Sequence, residues 1–252
     1  MRLILAAQDG VPKRSDVFIQ QKWLNDLEKD FCQDLVSDTI ETLKWLDEQN
    51  SLLSQQTKIN LHPFTFDFES LYDTLSPNLV REALIVASHE NRSEWSHEFI
   101  NCIVDLCDIS MQSSFGVFKD IWYKQKNGIS TGSSLSVQLA DITVYYVLRK
   151  CLYNKEELMK LVANNGIKRF VDDGVGLFSG SLNEFDSFRN KINIDLRKYG
   201  LNIKDDEWKI SKQHNDPIHF LDIQIWFDES GQLQTDLYIK PTDSRTYLNF
   251  NS

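Results

Sequence analysis

Phe170-Val171-Asp172-Asp173-Gly174 sits at the junction of two short runs rich in apolar residues, 167–171 and 175–178. An Asp-Gly step between apolar runs is a strong hairpin signal, so this stretch predicts two antiparallel strands with two carboxylates at their tip. Neighbouring side chains on a strand point to opposite faces, and the pair can share a target only where the chain turns. Two adjacent acids beside a buried sheet are costly unless they bind a cation or face water. Hard oxygen ligands of this kind suit Mg²⁺ or Mn²⁺. A lone acidic turn is more often simply solvated, so the reading depends on partners elsewhere in the chain.

One partner is at hand. Phe64-Thr65-Phe66-Asp67-Phe68-Glu69 alternates strictly and predicts a half-buried strand, with the three phenylalanines on one face and Thr65, Asp67 and Glu69 on the other. Asp67 on the open face of the same antiparallel sheet would join Asp172 and Asp173. Three such carboxylates can hold two divalent ions about 3.5–4 Å apart, an arrangement suited to in-line attack on a phosphate. The plain alternative for Asp67 is an exposed strand acid. A second partner is the small-residue loop Gly128-Ile129-Ser130-Thr131-Gly132-Ser133-Ser134. Its glycines let backbone approach a ligand, and the helix that follows offers free N–H groups. The plain alternative is a helix-entry loop capped by Ser133 or Ser134.

The remaining pattern is mixed. Helices are expected over residues 15–54, interrupted at Ser37-Asp38-Thr39, and over 77–88, 94–111, 135–152, 155–163 and 182–199. A short hairpin is expected over 115–125, and strands over 201–210, 220–227 and 233–239. This order predicts an α+β fold with an antiparallel sheet backed by helices. The 252 residues, 41% hydrophobic with 10 Gly and 5 Pro, describe a folded chain with a real core. The run Leu3-Ile4-Leu5-Ala6-Ala7 is too short for a signal peptide's apolar core and no membrane span is apparent, so an intracellular, non-secreted protein is expected, nuclear or cytoplasmic. Cys32, Cys102, Cys107 and Cys151 form no C-x-x-C pair and read as buried reduced thiols rather than zinc ligands. The net charge of -10 counts against a nucleic-acid protein, although a basic groove can sit on an acidic molecule.

Taken together, these stretches resemble the reverse transcriptases. Phe170-Val171-Asp172-Asp173 resembles their aromatic-x-Asp-Asp box, motif C, and Phe66-Asp67-Phe68-Glu69-Ser70-Leu71-Tyr72 resembles motif A. Gly128 to Leu135 is similar to motif B, Gly200-Leu201-Asn202-Ile203 through Lys209 to motif D, and Phe220-Leu221-Asp222 to the primer-grip hairpin, motif E. The tail, with Thr235-Asp236-Leu237-Tyr238-Ile239-Lys240-Pro241-Thr242-Asp243 and Tyr247-Leu248, resembles Penelope-like retroelements.

The resemblance implies a polymerase palm over residues 63–228, a partial helical fingers region over 1–62, and a hairpin strand and tail over 229–252 with no complete thumb. It implies Asp67, Asp172 and Asp173 as catalytic ligands of two Mg²⁺ (or Mn²⁺) ions, with the Phe68 backbone carbonyl as a further oxygen. Tyr72 would be the steric gate against a 2′-hydroxyl, or a core aromatic, or both. Thr131 and Gly132 would contact the incoming nucleotide or its template partner, and Phe170 and Val171 would pack beneath the primer end. Lys209 is a candidate acid for pyrophosphate, with an exposed lysine as the plainer reading, and Arg2 a candidate triphosphate contact. The implied partners are an RNA template, a DNA primer and dNTPs, with a longer native chain or a protein partner supplying fingers and thumb. Two other readings stay open: a non-catalytic, domesticated nucleic-acid-binding or scaffold module, and an RNA-directed RNA polymerase, against which Tyr72 speaks.

Overall fold

Helical periodicity runs over residues 15–54, and two-residue alternation takes over at Phe64. The computed structural model describes residues 11–53, 60–113, 115–119 and 121–239; Arg2 and the motif elements beyond Ile239 lie outside them. The chain begins with α1 (Val11–Ile19), passes a π-type turn (Gln20–Leu24) into α2 (Asn25–Phe31), and continues as α3 (Thr39–Leu53). The break between α2 and α3 falls at Ser37-Asp38, where the Asp38 carboxylate accepts from the Glu41 amide at 2.8 Å and Glu41 accepts from the Ser37 amide at 2.7 Å. These bonds satisfy amides that a helix start leaves open.

Next come β1 (Leu61–Asp67), α4 (Leu71–Thr74), α5 (Pro77–Asn91), α6 (His97–Gln112) and the hairpin β2 (Phe115–Phe118) and β3 (Ile121–Lys124). Then follow α7 (Ser136–Leu148), a π-type turn (Arg149–Tyr153), α8 (Glu156–Met159), β4 (Val162–Phe170), β5 (Asp173–Ser179) and α9 (Leu182–Arg197). The chain closes with β6 (Lys209–Ile210), β7 (Ile218–Phe220), β8 (Ile223–Phe227) and β9 (Leu233–Leu237). No helix among the described residues is long and apolar enough to cross a membrane.

The main sheet has the order β4-β5-β1-β6, with antiparallel pairings. Its phenylalanine face packs on helices: Phe64 touches Phe185 and Phe188 of α9 at centroid distances of 5.5 and 6.0 Å, and Phe66 lies 5.1 Å from Trp208. Burying each such ring contributes roughly 1.5–3 kcal/mol. α7 packs on α5 and is buried at every residue except Val137, its polar Gln138, Asp141 and Thr143 included.

The opposite face is less open than the alternation implies. Val175 and Leu177 join Ile218, Phe220, Ile223 and Ile225 in a second apolar cluster, built by the three-stranded sheet β7-β8-β9. Thr65 is consequently buried, and β1 is covered on both faces through most of its length.

Several element bounds differ from expectation. The helix expected over 155–163 ends at Met159, because the chain turns to pair with the end of β5: the Ser179 amide donates to the Leu161 carbonyl at 2.7 Å. The strand expected over 201–210 reduces to a Phe68↔Ile203 bridge and the two residues of β6, separated by a turn in which the Glu207 amide donates to the Lys204 carbonyl. The strand expected over 220–227 is cut by a turn at Leu221, φ +52, into β7 and β8. Cys102 is exposed, on the solvent side of α6, whereas Cys32, Cys107 and Cys151 are buried as expected. Burial pushes the Cys107 thiol up to about 12.

Candidate active site

Asp67 ends β1 and Asp173 opens β5, and the two are Cα partners on the last rung of a ladder that starts at Leu61↔Ser179. Directly opposed residues share a face, so both carboxylates project on the side of Val175 and Leu177, where the second sheet stops. They line a cleft of about 600 Å³ with Lys209, Glu207, His219 and Asp222. Phe170 lines the same cleft. Lys209 is Thr65's cross-strand partner and is exposed, so it is both an exposed lysine and a cleft residue.

The hairpin turn falls two residues earlier than the Asp-Gly signal places it. Phe170 pairs with Asp173, leaving Val171-Asp172 as a two-residue loop with Val171 at φ +54. A positive φ at the first loop position matches the twist of antiparallel strands. For a β-branched residue it is an outlier that costs about 1–3 kcal/mol and must be held by its surroundings. Gly174 lies instead within β5, under the Phe66 ring: a Cβ there would stand 2.1 Å from Phe66 Cζ. Gly176 lies likewise under Phe64, at 2.6 Å. These glycines answer to aromatic packing rather than to the turn.

The Phe68 amide donates to the Asp172 carbonyl at 3.2 Å, which pins the hairpin tip to the residue after Asp67. The Phe68 ring sits in the main core. Burial, followed by the charges of Asp141 and Asp172, pushes the Tyr72 phenol up to about 12, so Asp172 acts electrostatically on Tyr72. Tyr72 in turn carries the glycine loop. Its carbonyl accepts from the Ile129 amide at 2.7 Å, and a Cβ at Gly128, φ +79, would stand 2.4 Å from that carbonyl oxygen. Only glycine fits that position. Thr131 and Gly132 lie exposed in the loop, with the Gly132 amide donating to Ser130 Oγ at 3.4 Å. Val171 packs against the main core.

The arrangement therefore gathers Asp67, Asp173, Phe170 and Lys209 at the cleft, while Asp172 stays in the adjoining turn, outside the cleft lining, with its carbonyl bonded to the Phe68 amide. Opposed carboxylates repel across a rung, and a divalent cation between them relieves that repulsion, so the donor set fits a hard cation. Among the described residues no group of three or more His, Cys, Asp or Glu is gathered tightly enough to form a ready-made metal cluster. Two carboxylates and further oxygens from substrate suit Mg²⁺, which seldom occupies an all-protein cage.

Sequence reading missed the charge behind the hairpin. Arg169 is completely buried and bonded to Asp34 and Asp141, which are themselves buried. The adjacent charges Lys168 and Arg169 between Ile167 and Phe170 are the local sign of it, and nothing in the run tells which of the two is buried.

No protein-family model matches the chain, and no curated protein does. Solved structures do. Apo telomerase from Candida tropicalis aligns with a TM-score of 0.67 at 20% identity, covering 89% of this chain and 40% of that one. Telomerase from Candida tropicalis in complex with a TWJ fragment of telomeric RNA aligns at 0.65 and 20% identity, covering 95% and 39%. The Candida albicans enzyme in the corresponding complex aligns at 0.63 and 17%, covering 90% and 38%. The chain spans less than half the length of these telomerase chains. At such identities the likeness is one of fold: a mixed α+β arrangement of antiparallel sheets and helices similar to that of telomerase.

Proposed function

We propose that this chain is the palm-centred part of an RNA-directed DNA polymerase, extending a primer 3′-hydroxyl with dNTPs on an RNA template. The observation that carries the reading is the Asp67–Asp173 rung, with Asp172 in the adjoining turn, on a fold like that of telomerase. Asp67, Asp172 and Asp173 are the residues that would hold two Mg²⁺ or Mn²⁺ ions, with the Phe68 carbonyl as a further oxygen. Such ions, when bound, lower the barrier by activating the attacking hydroxyl and neutralising charge on the leaving pyrophosphate.

The chain's own groups do the rest. Tyr72, whose backbone carbonyl is held by the Ile129 amide, would set its ring against the 2′ position of the incoming sugar and disfavour a 2′-hydroxyl. Thr131 and Gly132, exposed in the glycine loop, contact the nucleotide or its template partner. Phe170 and Val171 support the primer end, and Lys209 at the cleft supplies a cation or proton to the departing pyrophosphate. Base pairing carries sequence specificity, while the protein reads duplex shape and backbone. The RNA bound in two of the structurally similar telomerases supports an RNA partner here. The tail pattern from Thr235 onward supports a Penelope-like retroelement lineage.

A second reading is a nucleic-acid-binding or scaffold module without catalysis. Primer extension separates the two: a poly(rA)-type template, labelled dTTP and Mg²⁺ or Mn²⁺, beside the Asp172→Ala, Asp173→Ala double variant. Extension by the parent alone supports the polymerase. Silence from a folded parent whose stability does not respond to either ion rules it out.

A further inference from the structure

Arg169 stands two residues before the hairpin loop Val171-Asp172, and its guanidinium is fully enclosed. Its Nη1 donates to Asp141 Oδ1 at 2.6 Å and to the Val171 carbonyl at 2.6 Å. Its Nη2 donates to the Asp141 carbonyl at 3.2 Å and its Nε to Asp34 Oδ2 at 3.3 Å. The Tyr153 hydroxyl donates to the same Asp34 oxygen at 2.7 Å. The Arg169 backbone is clamped as well: its amide donates to the Asp34 carbonyl at 2.7 Å, and its carbonyl accepts from the Val36 amide at 2.9 Å.

Apolar side chains of similar volume often serve stability as well as a buried ion network does, so stability alone is a weak account of this one. Its geometry supplies one. A single planar fork reaches the segment after α2, the middle of α7 and the carbonyl of the strained residue Val171. Lysine's point charge cannot span those directions at once. Asp141 lies in α7, the helix that leaves the glycine loop, so the fork joins that helix to the turn bearing Asp172.

We propose that Arg169 is a positioning residue: with Asp141 it holds the Val171 carbonyl, fixing the Asp172 turn relative to the helix that carries the glycine loop. The inference rests on the polymerase reading only for its consequence at the metal site; the mechanical claim stands by itself. Outer groups that orient metal ligands change metal affinity by about 10–100-fold when altered.

The test uses the full chain with Asp141→Asn, which keeps shape and an acceptor but removes charge, and Arg169→Lys, which keeps charge but removes the fork. Hydrogen exchange of residues 167–175 is followed beside that of α5, and Mn²⁺ is titrated with thermal stability as readout. The expected result is about tenfold faster exchange in the hairpin with α5 unchanged, and about tenfold weaker Mn²⁺ response. Equal acceleration in α5 would reduce Arg169 to a general structural role and overturn the proposal, as would parental exchange in both variants. Should Arg169→Lys fail to fold, Asp141→Asn alone decides. A parent that ignores Mn²⁺ overturns the polymerase reading instead, and the exchange comparison still judges the positioning claim.

Discussion

Asp67 and Asp173 face one another as the terminal cross-strand pair of β1 and β5. Their mutual repulsion is the reason to expect the molecule to respond to a divalent cation. At Mn²⁺ about a hundredfold above its dissociation constant, the parent's melting temperature is expected to rise by about 5 °C or more. Asp67→Asn and Asp173→Asn should each lose most of that rise and lower primer extension at least about a hundredfold. Calorimetry with and without the ion checks the first expectation, and extension kinetics check the second. An undiminished rise in both variants would place the ion elsewhere.

Gly174 lies under the Phe66 ring, so Gly174→Ala should destabilise the fold by about 1–3 kcal/mol through overpacking. Phe66→Leu in the same chain should recover part of that loss. Urea denaturation of the two single variants and the double variant measures the coupling. Simple additivity would show that the ring can step aside.

The contrast between these two positions shows what the sequence could convey. Alternation announced β1, and flanking apolar runs announced the hairpin, because both signals are local. The turn was misplaced because Gly174 also carries a nonlocal demand, the close passage of Phe66 from another strand. The second sheet over Val175 and Leu177 was invisible for the same reason, since nothing in β1 records what will cover it. Asp34, Asp141 and Arg169 are over a hundred residues apart at their extremes, and isolated charges look alike in sequence whether solvated or paired.

Glu28 gives a pH signature. Burial, followed by the charge of Asp141 and the hydrogen bond to it, pushes its carboxyl from 4.5 up to about 8. Glu28 therefore keeps its proton in the folded chain and hydrogen-bonds to Asp141, whose own rise through burial is opposed by Arg169. Between about 4.5 and 8 the folded state binds more protons than the unfolded, so this group's contribution to stability falls as pH rises. Glu28→Gln should flatten that slope and leave the variant relatively more stable at pH 8 than at pH 5. Melting temperatures across this range provide the check, and a parallel slope in the variant would contradict it.

The gate role proposed for Tyr72 and its observed support of the glycine loop separate by substitution. Tyr72→Ala should raise ribonucleotide incorporation relative to deoxyribonucleotide by about tenfold or more. Tyr72→Phe should leave that ratio unchanged, because the ring and not the hydroxyl does the excluding. Gly128→Ala should disturb the same contact from the other side, through its clash with the Tyr72 carbonyl oxygen. Competition between dTTP and UTP in single-nucleotide extension reads all three, and unchanged selectivity in Tyr72→Ala would remove the gate.

A slip of β1 by one residue against β5 would exchange the two faces of the strand. Phe64 and Phe66 would leave the α9 side, and Asp67 would enter it at the place of Phe66, beside Trp208. A carboxylate in that company is heavily penalised. The acids at the end of the ladder thus act as a proofreading mark on the chain's own assembly: the register that sets Asp67 opposite Asp173 at the cleft is the one that escapes the cost of burying charge.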